Sequence, residues 1–243
     1  MLNSKKKIFV AVTNDVSTDQ RVHKISNYLI SKNFDVLVYG RVLPSTFKVH
    51  RSYSIKRTKH FFNHTFLFYA EYNFRLFFTL LFYKCDTILA NDLDTLPACF
   101  LESKFKKAAL VYDSHELFSE GPELQGRNFV KGFWKLLEGF LLPRVKKAYT
   151  VSQSIADYYN TKHKANFGVV KNVPLLKREF VEVKVKFPTE NKTVLYQGVL
   201  NPGRGIKPMI KALHFLENID LIIIGYGKVE AELCQFVKDE LLE

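Results

Sequence analysis

The sequence predicts an α/β fold built on a doubly wound parallel sheet. Short apolar runs recur along the chain with helical patterns between them. Most runs are apolar on both faces, which is typical of parallel strands buried between two layers of helices. The predicted strands span residues 8–13, 35–40, 86–90, 109–113, 148–152, 167–170, 193–198 and 220–227.

The first predicted helix lies between the first two strands. Val22, Ile25 and Leu29 recur there at helical spacing. Ser17 and Gln20 have the spacing of a capping box, so we expect them to cap this helix. Further along the chain, Trp134, Leu137 and Leu141 also recur at helical spacing. They are expected to face the core, and no functional role is predicted for them.

The chain is predicted to contain one complete domain and the beginning of another. A polar stretch between Pro174 and Pro188 has the composition of a linker. After it the strand and helix pattern restarts, but two strands do not make an independent α/β core. The new helix is expected to bury one face: Ile206, Met209, Ile210, Leu213 and Leu216. The predicted regions are a Rossmann-like N-terminal domain at 1–172, a linker at 173–192 and a partial second Rossmann-like domain at 193–243.

Composition excludes several classes of protein. With 47% hydrophobic residues in 243, the chain is too apolar to be disordered. Its three cysteines form no CxxC pair, which argues against a disulfide framework and suits a reducing cytoplasm. The apolar run after the basic N-terminus is too short for a signal peptide. Glu71 and Arg75 interrupt the phenylalanine-rich residues 61–83, so we expect no membrane-spanning helix.

The chain is strongly basic, with a formal net charge of +12. Basic residues 48–60 directly precede the phenylalanine-rich residues 61–83. This combination indicates an anionic lipid, a nucleic acid or an anionic substrate as partner. The alternative is a solvated basic surface beside a buried helix. Because no recognised nucleic-acid-binding motif is present, we predict no nucleic-acid partner.

Polar residues follow four of the predicted strands. Ligands of open α/β sheets bind at the carboxyl ends of the strands, so these residues are expected to meet at one rim. Asn, Asp and Ser are also ordinary caps and turn formers, so one such residue alone indicates no site. The four groups are Asn14, Asp15, Asp19, Gln20 and Arg21; Asn91, Asp92 and Asp94; Asp113, Ser114, His115 and Glu116; and Ser152, Gln153 and Ser154.

His115 admits three interpretations from its position alone. It is a catalytic residue, a metal ligand together with Asp113 and Glu116, or a loop histidine without a function. Metal sites usually need more ligands than one histidine in a tight cluster, and the other six histidines lie in unrelated segments. We therefore predict no metal site.

The turn after residues 193–198 has the composition of a phosphate-binding loop. Gly198, Gly203 and Gly205 let the backbone approach a ligand, and Arg204 can pair with phosphate. The segment contains neither GK[ST] nor GxGxxG. Gly225 belongs to a second glycine turn, which is either a ligand contact or ordinary turn chemistry.

Six segments follow one another along the chain: "NDVSTDQRVHKISNYLISKNFDVLVYG", "ANDLDTLPAC", "LVYDSHELFSE", "LEGFLLPRVKKAYTVSQSIADYY", "LYQGVLNPGRGIKPMIKALHFL" and "LIIIGYG". Taken together, they resemble the family 4 glycosyltransferases of the GT-B fold. The resemblance covers nearly the whole chain in the family's order. It implies two Rossmann-like domains facing across a cleft, with the acceptor on the first and a nucleotide sugar held mainly by the second. It also implies a retaining transferase that takes a UDP- or GDP-sugar as substrate and needs no metal or other cofactor.

The resemblance implies roles for individual residues. His115 matches the histidine expected near the donor sugar at the reaction centre, where its neighbours Asp113 and Glu116 could orient it or set its charge. Arg204 matches the basic residue that stabilises charge on the departing diphosphate. The remaining donor-side residues are Gly198, Gly203, Gly205 and Gly225. The remaining residues on the cleft and acceptor side are Asn14, Asp15, Asp19, Arg21 and Asp92.

The sequence departs from the family in two places. The family often has an arginine where this chain has Gly198-Val199. Its phosphate-binding lysine and its Glu–seven residues–Glu motif have no counterpart up to Glu243. We therefore expect a C-terminally truncated transferase with weak or no activity, which robust turnover by the 243-residue chain would contradict. The alternative is a non-catalytic binding or scaffold remnant of a GT-B transferase.

Residues 48–83 are the best indication of how the acceptor arrives. The resemblance implies a glycan or lipid-linked acceptor in cell-surface polysaccharide synthesis. We expect a cytoplasmic protein with peripheral contact at the anionic inner face of the plasma membrane. Binding to anionic vesicles is expected to weaken with salt.

Overall fold

The computed structural model describes residues 5–43, 48–63, 65–121, 124–174 and 190–240. The chain forms two compact units, Met1–Pro174 and Leu175–Glu243. The predicted linker at 173–192 lies largely outside the described residues.

The first unit contains a seven-stranded sheet in which every strand pair is parallel. Its strands are β1 (Lys7–Asp15), β2 (Asp35–Arg41), β3 (Ser54–Thr58), β4 (Thr87–Asn91), β5 (Ala109–Ser114), β6 (Ala148–Thr150) and β7 (Phe167–Val169). The spatial order is β3-β2-β1-β4-β5-β6-β7. The chain first builds outward from β1 and then continues from β4 on the other side. The switch of direction therefore lies between β1 and β4, as in a doubly wound sheet.

Helices cover both faces of this sheet. They are α1 (Gln20–Ser31), α2 (Thr65–Phe82), α3 (Leu96–Lys106), α4 (Asn128–Leu141) and α5 (Gln153–His163). Side chains of β1 alternate between two cores: Phe9 packs in the core that includes α2 to α5, and Val10 packs in the core beneath α1. Trp134 and Leu141 are buried and Leu137 packs against them, which confirms the predicted inner side of α4.

The first helix begins differently from the prediction. Asp19 is its N-cap, and the Asp19 side chain accepts a 2.9 Å hydrogen bond from the backbone N–H of Val22. The prediction of a capping box formed by Ser17 and Gln20 was therefore wrong. The reason is that Ser17 belongs to the turn after β1, where its N–H donates to Oδ1 of Asp15 at 2.9 Å.

Strand β3 was not predicted. Its sequence, Ser-Ile-Lys-Arg-Thr, contains one apolar residue and lies within the basic residues 48–60. The strand occupies an edge of the sheet and has no fully buried residue. An edge strand needs no continuous apolar pattern, so the sequence carried no strand signal here.

The phenylalanine-rich segment forms α2, which buries only one side. Phe68, Tyr72, Leu76 and Leu80 are buried at intervals of four residues. The other side exposes further phenylalanines. The helix is therefore not the buried helix of the alternative interpretation. Among the residues that the structure describes, no helix is long and apolar enough to cross a membrane.

In the second unit, residues 190–240 are described, and they form two parallel strands and two α-helices. They are β8 (Lys192–Gln197), α6 (Ile206–Ala212), β9 (Ile219–Ile224) and α7 (Glu230–Asp239). The core of this unit is small and contains Leu200, Ile206, Ile210 and Leu233. Leu216 lies outside the helix and is exposed, contrary to the prediction, because the chain tightens into a 3₁₀ turn at Leu213–Phe215 before it enters β9.

Candidate functional site

The carboxyl ends of β1, β4 and β5 bring four of the predicted residues together. Arg21 lies in the first turn of α1, Asp92 directly follows β4, and Asp113 lies at the end of β5 with His115 just after it. The register places Asn91 opposite Asp113, and the N–H of Asp92 donates to the Asp113 carbonyl at 2.9 Å. Residues far apart in sequence thus share the rim at the switch between β1 and β4.

Arg21 and Asp113 form a buried bidentate ion pair. Nε of Arg21 donates to Oδ2 of Asp113 at 3.1 Å, and Nη2 donates to Oδ1 at 2.5 Å. Arg21 is buried and Asp113 is completely buried. Nη1 also donates to the Val170 carbonyl at 3.4 Å. A charge pair this deep is tolerated because both partners are compensated by close, directional contacts.

His115 lies between two carboxylates. Its Nδ1 is 3.2 Å from Oδ2 of Asp92, and its Nε2 is 3.5 Å from Oδ2 of Asp113. The backbone N–H of His115 donates to Oδ1 of Asp92 at 2.9 Å, which fixes the start of the loop. The His115 side chain keeps 23% of its surface exposed, so part of it faces solvent.

These contacts favour the charged form of His115. Burial lowers the pKa of the imidazole, but contact with Asp113 and the charge of Asp92 outweigh burial, so the pKa is raised above its ordinary value of 6.5. Burial raises the pKa of Asp113, but His115 and Arg21 hold that pKa below its ordinary value. With both ring nitrogens facing carboxylates, His115 is suited to act as a cation and not as a base.

Asp92 is held in an unusual backbone conformation. Its φ of +59° lies in the left-handed region, which residues with a Cβ rarely adopt. Burial raises the pKa of its carboxyl to about 6, against the lowering effect of His115. Because 23% of the side chain is exposed, solvent moderates that shift. The structure places Asp92 directly against the histidine.

Asp94, which was predicted for the rim, contacts Thr13, which the sequence analysis did not single out. Oγ1 of Thr13 donates to Oδ2 of Asp94 at 2.6 Å. Oδ1 of Asp94 is buried and has no hydrogen-bond partner within the described part of the chain. Burial, and then the charge of Asp92, raise the pKa of Asp94 to about 7. The signal that could have found Thr13 is its place at the polar end of β1, directly before Asn14 and Asp15.

Other predicted residues lie elsewhere along the rim. Asp19 caps α1, and Asn14 is exposed. Asp15 is buried, accepts from the Ser17 N–H and lies 3.6 Å from Nη1 of Arg57. Of the fourth polar group, Ser152 caps α5 by accepting from the Ile155 N–H at 3.4 Å.

Glu116 is not the second carboxylate beside the histidine. Its side chain is exposed, and its carbonyl accepts from the Ser114 hydroxyl at 2.8 Å. Across the described ranges, no hydrogen bond or ion pair joins the Glu116 carboxylate to His115. Asp92 occupies that place instead, because the loop after β5 turns Glu116 outward while β4 ends next to the histidine.

The described residues contain no group of three or more His, Cys, Asp or Glu side chains that could hold a metal ion. Both carboxylate oxygens of Asp113 are bound by Arg21. In the described structure, His115, Asp113 and Glu116 therefore do not form the set of metal ligands that a metal-dependent hydrolase would need.

The second unit contains a pocket of about 460 Å³ around three of the predicted donor-side residues. Residues 201–208 line it together with Val229, Glu232 and Leu233. Gly203 and Gly205 have φ values of +82° and +71°, which shape the loop and favour glycine. The side chain of Arg204 is exposed on this loop.

Gly225 has a structural explanation. A Cβ on Gly225 would lie 1.9 Å from the Gly198 carbonyl oxygen, so the two turns touch through their backbones. The Leu200 N–H donates to the Tyr226 carbonyl at 2.9 Å and continues this contact. Close backbone packing accounts for the glycine at 225.

Comparison with known proteins points to one family. A family model described as Glycosyltransferase Family 4 matches residues 19–172, which is more than half of the chain. No curated protein sequence matches the chain significantly.

Solved structures share the fold at low sequence identity. The apo form of the lipopolysaccharide outer core galactosyltransferase WaaB has a TM-score of 0.62 at 15% identity, over 98% of this chain and 66% of that chain. Sucrose-phosphate synthase from Thermosynechococcus elongatus has a TM-score of 0.79 at 14% identity, over 98% of this chain and 68% of that chain. Anabaena Alr3699/HepE in complex with UDP-glucose has a TM-score of 0.64 at 15% identity, over 98% and 66%. The chain thus spans about two thirds of the length of these structures.

Proposed function

Because the chain belongs to glycosyltransferase family 4, we propose that it transfers a sugar from a nucleotide-sugar donor to a glycan or lipid-linked acceptor. The observation that carries this proposal is the histidine held between Asp92 and Asp113 at the carboxyl ends of β4 and β5. This is the position at which ligands bind in open α/β sheets. The Anabaena protein whose structure contains UDP-glucose supports a UDP-sugar as the first donor to test.

The transfer breaks the bond between the anomeric carbon and the diphosphate oxygen, and the diphosphate leaves with the electron pair. The acceptor hydroxyl forms the new glycosidic bond and gives its proton to the departing diphosphate. We assign His115 the role of a preorganised cation at the reacting sugar, because its two carboxylate neighbours raise its pKa and so favour the charged form. We assign Arg204 and the loop at 201–208 to the donor phosphates, since a guanidinium on a glycine-rich loop suits that ligand. Retention of configuration without a metal ion is part of the same proposal.

Substitution of His115 tests the proposal. The purified chain is incubated with UDP- and GDP-sugars, and release of nucleoside diphosphate is measured. We expect His115→Ala to lower kcat by about 10²- to 10³-fold with little change in KM, as for loss of an electrostatic donor. Wild-type activity is expected to fall as pH rises through the raised pKa of His115.

The matched control is His214→Ala, which removes an exposed histidine of the second unit that is paired with Glu240. It should leave kcat unchanged. Wild-type turnover by His115→Ala would remove His115 from the reaction centre. A wild-type chain that neither binds nor consumes any nucleotide sugar would contradict the function itself and support the non-catalytic alternative.

The acceptor side of the proposal includes contact with an anionic membrane at the cytoplasmic face and a role in cell-surface polysaccharide synthesis. Its support is the net charge of +12 and the exposed phenylalanines of α2. A basic protein with exposed aromatic side chains is attracted to anionic lipid. A lipid-linked acceptor would be met at that surface.

A further inference from the structure

Helices α2 and α4 each expose a stripe of phenylalanines. On α4 the spacing of the exposed residues is four, three and four, which aligns them on one side of the helix. The opposite side of the same helix is buried through Trp134 and Leu141. We call the exposed set, together with two neighbours on α3, the phenylalanine face. Its members are Phe66, Phe74, Phe78 and Phe82 of α2; Leu101 and Phe105 of α3; and Phe129, Phe133, Leu136 and Phe140 of α4, with exposures from 38% to 91%.

The phenylalanine face links three helices into one surface. The rings of Phe66 and Phe133 meet with centroids 5.8 Å apart, which connects α2 to α4. Phe105 of α3 meets Phe77 of α2 at 6.3 Å. A Cβ on Gly132 or on Gly139 of α4 would meet nothing within 4 Å in the described structure. An apolar surface of this kind on a soluble domain marks an interaction site.

The charge around this face is almost entirely basic. Residues 65–84, 96–107 and 127–147 contain eleven lysines and arginines and three glutamates. Glu102 and Glu138 are buried, and Glu71 accepts a 2.8 Å hydrogen bond from Nε of Arg75. The basic residues are Arg75, Lys84, Lys104, Lys106, Lys107, Arg127, Lys131, Lys135, Arg144, Lys146 and Lys147.

Some of these cations gather at one end of the face. A pocket of about 330 Å³ lies where α3 ends and the chain enters β6. Lys104, Lys107, Arg144, Lys146 and Lys147 are among its lining residues. Lys131 and Lys135, by contrast, pair with Glu120 at the other end of α4. The face therefore combines exposed aromatic rings with a cluster of cations.

We propose that the phenylalanine face is the docking surface for an anionic lipid bilayer. The aromatic side chains enter the boundary between headgroups and acyl chains, and the lysines and arginines contact lipid phosphates. A second copy of this chain fits the face less well, because it would bring two basic surfaces together. The inference rests on the acceptor side of the proposed function and deepens it, because it names the residues that contact the membrane.

Residues 48–60 are a weaker candidate for the docking surface than the phenylalanine face. Arg51 donates to the Ser17 carbonyl at 3.3 Å, and Arg57 lies 3.6 Å from Asp15. These two arginines are thus partly engaged within the first unit. Residues 48–60 also contain none of the exposed large apolar side chains, whereas the phenylalanine face contains ten.

Vesicle flotation tests the proposal on the full chain. Wild type is expected to bind phosphatidylcholine vesicles that contain about 30% phosphatidylglycerol and to bind pure phosphatidylcholine at least about tenfold less. Raising the salt from about 0.1 to about 0.5 M is expected to release it. Two triple variants should each bind the anionic vesicles at least about tenfold less than wild type. One is Phe129→Ser, Phe133→Ser, Phe140→Ser, and the other is Lys104→Glu, Lys107→Glu, Lys146→Glu.

Matched controls distinguish the effect of the phenylalanine face from the effect of exposed aromatic or basic residues elsewhere on the protein. Phe215→Ser removes an exposed phenylalanine of the second unit, and Lys192→Glu with Lys228→Glu reverses exposed lysines there. Both should bind like wild type. His115→Ala should also bind like wild type, so failure of the catalytic proposal and failure of docking are distinguishable. Fluorescence of the single tryptophan, which lies beneath Phe133, checks that the variants fold.

Three outcomes would overturn the proposal. The first is equal vesicle binding by wild type and both triple variants. The second is complete release by millimolar inorganic phosphate at constant ionic strength, which would indicate a phosphate site and no bilayer contact. The third is a wild-type dimer in sedimentation that the phenylalanine variant converts to a monomer, which would make the face an interface between copies.

Insertion depth gives an independent test. Phe140→Trp and Phe215→Trp each place one extra tryptophan at an exposed phenylalanine, on the face and in the second unit respectively. Brominated phospholipids should quench the added fluorescence of Phe140→Trp and leave that of Phe215→Trp unchanged. Quenching of Phe215→Trp alone would place the bilayer on the second unit and overturn the inference.

Discussion

Single protons decide the character of the candidate site. Asp113 and Asp92 favour the charged form of His115, because together they outweigh the effect of burial on its pKa. Asp92, with a pKa of about 6, titrates close to neutrality on the other side of the same contact. The net charge of the site is therefore expected to change in mildly acidic solution, when the Asp92 carboxylate takes up a proton. The sequence alone does not indicate that Asp92 contacts His115.

Asp94→Asn tests this electrostatic description. Burial raises the pKa of Asp94 from 3.8 to about 7, so the folded protein holds a proton that the unfolded chain releases. The stabilisation is complete at low pH and is lost as pH rises through about 7, so the free energy of unfolding should fall across this window. Asp94→Asn should flatten that fall by up to roughly 4 kcal/mol, an upper limit from about 1.4 kcal/mol per pKa unit.

The measurement is urea unfolding at several pH values, followed by fluorescence of the single tryptophan, Trp134. An amide at 94 still accepts the hydrogen bond that Thr13 donates, so packing is preserved. The control is Asp157→Asn on the exposed side of α5, which should leave the pH dependence unchanged. A steep fall that persists in Asp94→Asn would assign the pH dependence to another group.

At the scale of the element, the start of α1 positions the ion pair. Asp19 was predicted as a residue of the cleft, and the structure gives it the local task of capping α1. Arg21 lies two residues further on and reaches Asp113 from the first helical turn. A shift in where the helix begins would rotate Arg21 away from Asp113. The cap thus acts on the site through the helix.

Asp19→Ala should therefore have two effects. Loss of the cap should lower the free energy of unfolding by about 1 kcal/mol. It should also reduce transferase turnover, because Arg21 then holds Asp113 less firmly. Ser152→Ala removes the equivalent cap of α5 and serves as the control, with a similar loss of stability and no loss of turnover. Equal turnover of the two variants would show that the start of α1 does not position the site.

The sequence did not show that the outer side of α4 is apolar and exposed. The spacing of Trp134, Leu137 and Leu141 correctly identified the inner side of α4. The same helix carries Phe129, Phe133 and Phe140 on its outer side. An apolar pattern around the whole circumference normally indicates a buried helix, so only the packing shows which side is open.

At the scale of the whole molecule, the predicted GT-B fold is confirmed. The seven-stranded parallel sheet and the matches to solved glycosyltransferase structures agree with it. The second unit is different in its packing, because β8 and β9 have no fully buried residue. In β1, by contrast, residues 8–12 are all buried. The predicted truncation and loss of activity stay predictions.

Hydrogen exchange should reveal this difference between the units. Amides of β1, β4 and β5 should exchange only with global unfolding of the first unit, since they lie in a sheet covered on both faces. Amides of β8 and β9 should exchange at least about tenfold faster, because a two-stranded sheet is marginally stable. Mass spectrometry of peptides from both units measures this directly. Equal protection of β8 and β1 would show that the second unit is stabilised as strongly as the first.

Much of the fold was predictable because buried parallel strands appear as continuous apolar runs. That rule found six of the seven strands of the first unit and missed only β3, a polar edge strand. The loop residues of the site were also predictable as a group, since ligands gather at strand ends. Which of them touch was not, because contacts between β4 and β5 depend on a register that joins residues about twenty positions apart in sequence.

The sequence by itself determined the family, the α/β class and His115 as the central candidate, because local patterns and strand ends carry that information. The tertiary structure decided that Asp92, and not Glu116, shares the histidine with Asp113. It also decided that the phenylalanines of α2 and α4 form one open surface. Both results depend on how separate helices and strands pack in three dimensions, because packing decides which side chains distant in sequence touch and which charges become neighbours.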